Sequence, residues 1–136
     1  MSREAFFESI MKKKRIFITA AIIIAFSNLP VIGTALMGEI DKDHFRYANA
    51  DASFTDIEHF DWMRPWMNEW VVRGFMESQR PTQQHMEVFR LYKINPLCFW
   101  RWRYYILVSG KFKYKSWQEI EPNRVPFVDN NKWQDF

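Results

Sequence analysis

The chain carries no charge over the 22 residues from Ile16 to Met37, IFITAAIIIAFSNLPVIGTALM. A helix rising about 1.5 Å per residue covers about 33 Å over that run, enough for a hydrocarbon core of about 30 Å. The pattern therefore predicts one transmembrane helix over 16–37. Its flanks are asymmetric: Lys12, Lys13, Lys14 and Arg15 precede it, whereas Glu39, Asp41 and Asp43 with Lys42 follow. By the positive-inside rule the N-terminus stays cytoplasmic and the chain after about residue 38 is translocated. A cleaved signal peptide is the rival reading, with Ile16–Phe26 as its apolar region and Val31-Ile32-Gly33 as a poor cleavage site. Pro30 removes one backbone bond and allows a kink near Phe26. Asn28 is either a mild cost in lipid or a hydrogen-bonding point for a partner helix. Before the cations, Ser2 to Met11 reads as a short amphipathic helical lead-in.

Beyond the run the pattern becomes segmental. Ala48 to Ser53 reads as a loop. Thr55 followed by Glu58 fits a capping box, predicting a helix from about Asp56 to Met63. Pro65 suits the first turn of a second helix running to about Ser78. Across the two, Trp62, Trp66 and Trp70 recur every four residues, with Met63, Met67, Val71 and Phe75 in a second row. Such an arc faces a core, or lies at a water–lipid boundary where Trp is favoured. Pro81 to Lys93 is a further helix candidate, with Met86, Phe89 and Tyr92 on one side. Asn95-Pro96 and Gly110 bracket LCFWRWRYYILVS as a helix. A strand is its rival, because Trp100, Trp102 and Tyr104 alternate with Arg101 and Arg103, and Ser109-Gly110 would then turn into Phe112-Lys-Tyr-Lys. Ser116 and Glu119 form a second capping box, closed by Pro122. The tail from Asn123 reads as extended, held by Phe127 and Trp133.

The fold class that follows is mostly α. One N-terminal transmembrane helix precedes a small helical extramembrane domain, with an α+β variant carrying a hairpin near 98–117. The organisation is a basic cytoplasmic lead-in over 1–15, the membrane helix over 16–37, an acidic linker over 38–53, and a small aromatic-rich extracytoplasmic domain over 54–136. The chain of 136 residues leaves room for one domain at most. Seven Trp and thirteen Phe exclude wholesale disorder.

Charge changes the picture in two ways. The net +3 arises within residues 1–15, and the body from Glu39 onward is balanced, which argues against nucleic acid as a partner. Within that body, 39–61 carries seven carboxylates, while 90–115 carries seven basic residues and no acidic one. The two segments pair inside the fold, or the basic-aromatic one meets anionic lipid or an acidic protein.

Candidate chemistry adds little. A single cysteine, Cys98, forms no intrachain disulfide and reads as a small buried apolar residue. His59 and Met63 stand one helical turn apart, but Cys-x-x-Cys-His is absent and no haem, metal or other cofactor is assigned. Gly-rich phosphate loops, G-x-S-x-G and His-Glu-x-x-His are likewise missing from the sequence. No catalytic residue is assigned, and the expectation is that the chain is not an enzyme.

The leading expectation is a non-catalytic interaction protein, a small subunit or accessory factor of a complex in the bacterial inner membrane. Its partners are the lipid bilayer and a protein of that complex. The anchor is Lys12, Lys13, Lys14 and Arg15 with the run from Ile16 to Met37. The interaction candidates are Trp62, Trp66, Trp70, Trp100, Arg101, Trp102, Arg103 and Tyr104, since Trp, Tyr and Arg are enriched where interfaces carry their energy. Two alternatives stay open: a tethered immunity or exclusion protein, and an enzyme of envelope lipid or glycan using Arg101 and Arg103.

Overall fold

The computed structural model describes residues 2–61 and 68–136. The described chain is mostly helical, with a small three-stranded antiparallel sheet. Helix α1 spans Arg3–Ser27 and begins at Ser2, whose hydroxyl accepts from the Ala5 amide at 3.3 Å. Helix α2 spans Pro30–Ile40. The uncharged run is thus two helices rather than one. Among the described residues no single helix is long and apolar enough to cross a membrane; α1 and α2 reach that length only together, and they meet at 83°.

The local sequence explains the break. Asn28 closes α1, its amide donating to the carbonyls of Ala25 and Phe26. Leu29 is extended, as a residue before proline is pushed to be, and Pro30 opens α2 at a first-turn position where a missing N–H costs nothing. Gly33 then lets the two helices approach: a Cβ there would lie 2.8 Å from the Ser27 carbonyl oxygen.

The segment 38–53, expected to be an acidic linker, is part of the core. Phe45, Tyr47 and Ala48 are fully buried, and strand β1 spans Arg46–Asn49. It is the middle strand, flanked by β2 (Thr55–Ile57) and β3 (Val88–Arg90), both antiparallel, with Ala48 facing Thr55 on one side and Phe89 on the other. Both edges are covered by single bridges, Thr55 to Gln134 and Arg90 to Tyr114. Covering the edges removes the exposed ladder that invites pairing with another chain.

Two expected helices are therefore strands. The capping box at Thr55 and Glu58 does not form because both side chains are engaged elsewhere. The Thr55 hydroxyl accepts from the amides of Asp135 and Phe136, while Glu58 accepts from Tyr104. The remainder of that expected helix, through Met63, and the helix start at Pro65 lie outside the described residues. In 81–93 a single 3-10 turn, Gln83–His85, leads into β3. Val88 and Tyr92 are buried there and Met86 is exposed, so the row of Met86, Phe89 and Tyr92 expected on one helix face is not kept.

Further along, the helical reading of the LCFWRWRYY stretch holds and the hairpin near 98–117 does not form. A 3-10 turn over Phe99–Arg101 runs into α4, Trp102–Leu107. Arg101, Tyr104, Tyr105 and Val108 are its buried residues, at a helical spacing of three and four. Helix α3 spans Asn68–Gln79 and packs Phe75 against Phe54 and Trp133. The last helix, α5, spans Trp117–Ile120 and has the expected capping box of Ser116 and Glu119. Cys98 is half-buried.

Candidate functional site

Helix α1 has no side to turn inward. Ile16, Phe17, Ile18, Ile22, Ile23 and Phe26 are each between 52% and 77% exposed. At about 100° per residue these six positions point in all directions around the axis. A helix apolar all round is one that something else must cover. Immediately before that apolar run, within the same helix, Lys12, Lys13, Lys14 and Arg15 are exposed and form a basic collar.

Where α1 ends, the chain is fastened to the domain by a clasp and a latch. The clasp is Asn28. Its side-chain amide donates to the Phe99 carbonyl at 2.8 Å, and its oxygen accepts from the Arg103 amide at 2.9 Å. The same amide also donates to the Ile24 carbonyl at 2.8 Å, so α1, the bend and the 99–103 turn share one side chain. The latch is Asp41, the C-terminal cap of α2. It forms a buried ion pair with Arg101 and accepts from the Trp100 indole N–H at 2.9 Å. Arg101 also reaches His44 Nε2 at 3.0 Å and the Tyr105 hydroxyl at 3.2 Å. Between clasp and latch, Gly33, Thr34 and Met37 are buried. Met37, expected at the membrane edge of the anchor, is a core residue.

The electrostatics of the latch follow from this geometry. Burial alone would lower the Arg101 pKa, but the hydrogen bonds it donates to Asp41 and Tyr105 outweigh that and hold the guanidinium above its usual range. Desolvation and the neighbouring Arg101 charge push His44 below its usual range, against a raising influence from Asp41. A neutral His44 can then accept from Arg101. The expected pairing of the acidic and basic segments inside the fold is realised at this point.

Behind the latch lies a line of buried hydroxyls. Tyr104 donates to Glu58 at 3.1 Å, Tyr47 meets Tyr104 at 2.7 Å, Tyr92 meets Tyr47 at 2.6 Å, and Ser109 meets Tyr92 at 2.6 Å. Each hydroxyl has one proton. With Tyr104 giving its proton to Glu58, the donation runs in one direction from Ser109 to the carboxylate. Burial raises the pKa of Tyr92 to about 12 and those of Tyr47 and Tyr104 further, so the phenols stay protonated.

The interaction candidates separate on this basis. Arg101 and Tyr104 are buried and serve the fold, and Trp100 is half-buried on Asp41. Arg103 is half-buried and its amide belongs to the clasp. Trp102 is 39% exposed and Trp70 is 76% exposed. On α3 the row containing Val71 and Phe75 packs inward, leaving Trp70 on the outer side. Trp62 and Trp66, like Met63 of the His59 pair, lie outside the described residues. Asn28, expected only as a mild cost in lipid or a bonding point for a partner helix, bonds within the chain instead, and Gly33 and Asp41 carry no role that the sequence predicts. The one signal for them was an asparagine two residues before a proline within an apolar run.

A cleft of about 460 Å³ lies between Asp51, Thr82, His85, Asn131 and Gln134. His85 Nδ1 lies 3.2 Å from Asp51 Oδ2, and the Ser53 hydroxyl donates to Asp51 Oδ1 at 2.8 Å. The serine thus faces the carboxylate rather than the imidazole, the reverse of what nucleophile activation needs. Among the described residues no group of three His, Cys, Asp or Glu could hold a metal ion. Compared with protein families, curated proteins and solved structures, the chain has no match.

Proposed function

We propose that this protein is a membrane-anchored, non-catalytic interaction protein, a small subunit or accessory factor of a bacterial inner-membrane complex. Helix α1 is the anchor, with its N-terminus cytoplasmic and the aromatic-rich domain periplasmic. The observation that carries the reading is the apolar cylinder from Ile16 to Phe26, exposed on every side and preceded by a collar of four cations. Leaving six large apolar side chains in water forgoes about 25 cal/mol for each Å² that a cover would remove from it. A bilayer removes that penalty, and the collar sets the orientation. The clasp and the latch support the same reading, because they couple the anchor rigidly to the domain instead of through a linker. A domain restricted to a membrane plane gains effective concentration for a membrane-bound partner. Trp70, with its exposed ring on α3, is the leading contact residue.

The test is purification of the natively expressed, C-terminally tagged full chain in mild detergent. The expected result is a stoichiometric companion chain that is lost from Trp70→Ala. Recovery as a lone monomer contradicts the interaction role.

A further inference from the structure

The proposed anchor is too short to cross a bilayer alone. Ile16 to Phe26 is eleven residues, and at about 1.5 Å each they reach about 16 Å, little more than half of a hydrocarbon core of about 30 Å. The remaining apolar residues of the run are not available to extend it in line, because α2 turns away at 83° and buries Gly33, Thr34 and Met37 in the domain. Lysine stems in the collar can reach toward one interface, as long cationic side chains do, but they recover only part of the missing depth. Something at the other end of α1 must supply the rest.

The domain presents a suitable surface there. Asn28 binds the bend to the Phe99 carbonyl and the Arg103 amide, so the 99–103 turn lies at the end of the anchor. Leu29 and Val31 are exposed on the bend and on α2. Leu97, two residues before Phe99, is 84% exposed, and Ile106 is 77% exposed. Trp102 and Ile106 stand one turn apart on the outer side of α4, opposite the buried Tyr104, Tyr105 and Val108. The Trp102 indole N–H is satisfied internally by the Pro96 carbonyl at 2.7 Å, so its ring can enter an apolar layer without leaving a donor unpaired. With α1 along the membrane normal, α2 lies nearly in the membrane plane.

Resting on the membrane-anchor reading, we infer that this face, formed by Leu29, Val31, Leu97, Trp102 and Ile106, is embedded in the headgroup–acyl boundary of the outward leaflet. Interfacial elements sink about 5–10 Å into that layer, which offsets between about a third and about two thirds of the depth that α1 lacks. The occupant of the face is lipid, because the face continues directly from the anchor. The span is thereby completed by a helix and a domain surface together.

The test uses the full-length chain with Cys98→Ser, bearing an environment-sensitive fluorophore on one introduced cysteine. The positions are Phe17→Cys in the anchor, Ile32→Cys on α2, Ile106→Cys on the face and Gln118→Cys as a water-exposed control. Each is reconstituted in phosphatidylcholine–phosphatidylglycerol vesicles carrying spin-labelled lipid, with the quencher near the headgroup or deep in the acyl chains. The inference expects loss of emission at Ile106 with the shallow quencher, at Phe17, two residues inside the collar, with at least one of the two quenchers, and at Gln118 with neither. Quenching at Phe17 with Ile106 unaffected overturns the inference, leaves the anchor intact and assigns the face to a protein. Deep quenching at Ile32 also overturns it, since the two helices then straighten into one span. Absence of quenching at Phe17 removes the anchor reading, and this inference with it.

Discussion

At the scale of single residues, Tyr47 is the centre of the buried polar line, touching both Tyr92 and Tyr104. Tyr47→Phe keeps the ring but leaves a neighbouring hydroxyl without its partner, so it is expected to lower unfolding free energy by about 1–3 kcal/mol. Asp41→Asn breaks an ion pair whose carboxylate side is 1% exposed. Removing one partner of a buried pair costs about 3–5 kcal/mol, and urea denaturation of the two variants should rank them in that order. His44 makes the fold sensitive to pH in a defined direction. Its pKa is lowered from 6.5 in the folded chain, so the unfolded chain takes up a proton first as pH falls. Its contribution to stability is complete above about pH 6.5 and is lost progressively below that value. His44→Gln should flatten the fall in stability as the pH drops below about 6.5, and an unchanged slope would remove His44 from the latch. At this scale the sequence was legible where partners were close along the chain. The Ser116–Glu119 capping box is an example, with both of its bonds formed between residues three apart. Partners remote in sequence left no such trace: Asp41 and Arg101 are 60 positions apart, and Asn28 and Phe99 are 71 apart.

At the scale of elements, the bend between α1 and α2 decides the architecture. Gly33→Ala places a methyl group against a backbone oxygen that cannot move aside, and is expected to cost about 1–3 kcal/mol by driving α2 off its seat. Gly74→Ala meets the Trp133 ring at 3.3 Å, a side chain with room to shift. Thermal unfolding should therefore show the larger drop for Gly33→Ala; the opposite order would mean that the bend is not close-packed. The sequence predicted most of α3 from its apolar rows, α4 from the residues that bracket it and α5 from its capping box. It failed at β2 and β3 for a different reason. Strands of three residues are too short to display a period, and tertiary partners decide them: Thr55 is taken by the tail, and Arg90 is flanked by the carbonyl of Lys113 and the amide of Lys115. The uncharged run was read as one helix because hydropathy counts residues without direction. Asn28 and Pro30 carry the turn, and each alone is tolerated inside a membrane helix.

At the scale of the whole molecule, the stretch LCFWRWRYY has a structural explanation. Its backbone holds Asn28, its Trp100 and Arg101 hold Asp41, and its Tyr104 and Tyr105 enter the core. Its concentration of Trp, Arg and Tyr, read in sequence as an interface, is mostly the seat for the N-terminal helices. The surface left for partners is smaller, and Trp70 tests it cleanly. Because that ring is 76% exposed, Trp70→Ala should leave stability within about 0.5 kcal/mol while releasing the companion chain. On the proposed function, the cylinder from Ile16 to Phe26 holds the protein in a bilayer. The test is extraction of membranes from cells expressing the full chain, with alkaline carbonate followed by mild detergent. The protein is expected to stay in the carbonate pellet, to enter detergent, and to move to the carbonate supernatant when Ile18 and Ile22 are replaced by Glu. Release of the unaltered chain by carbonate alone would contradict it.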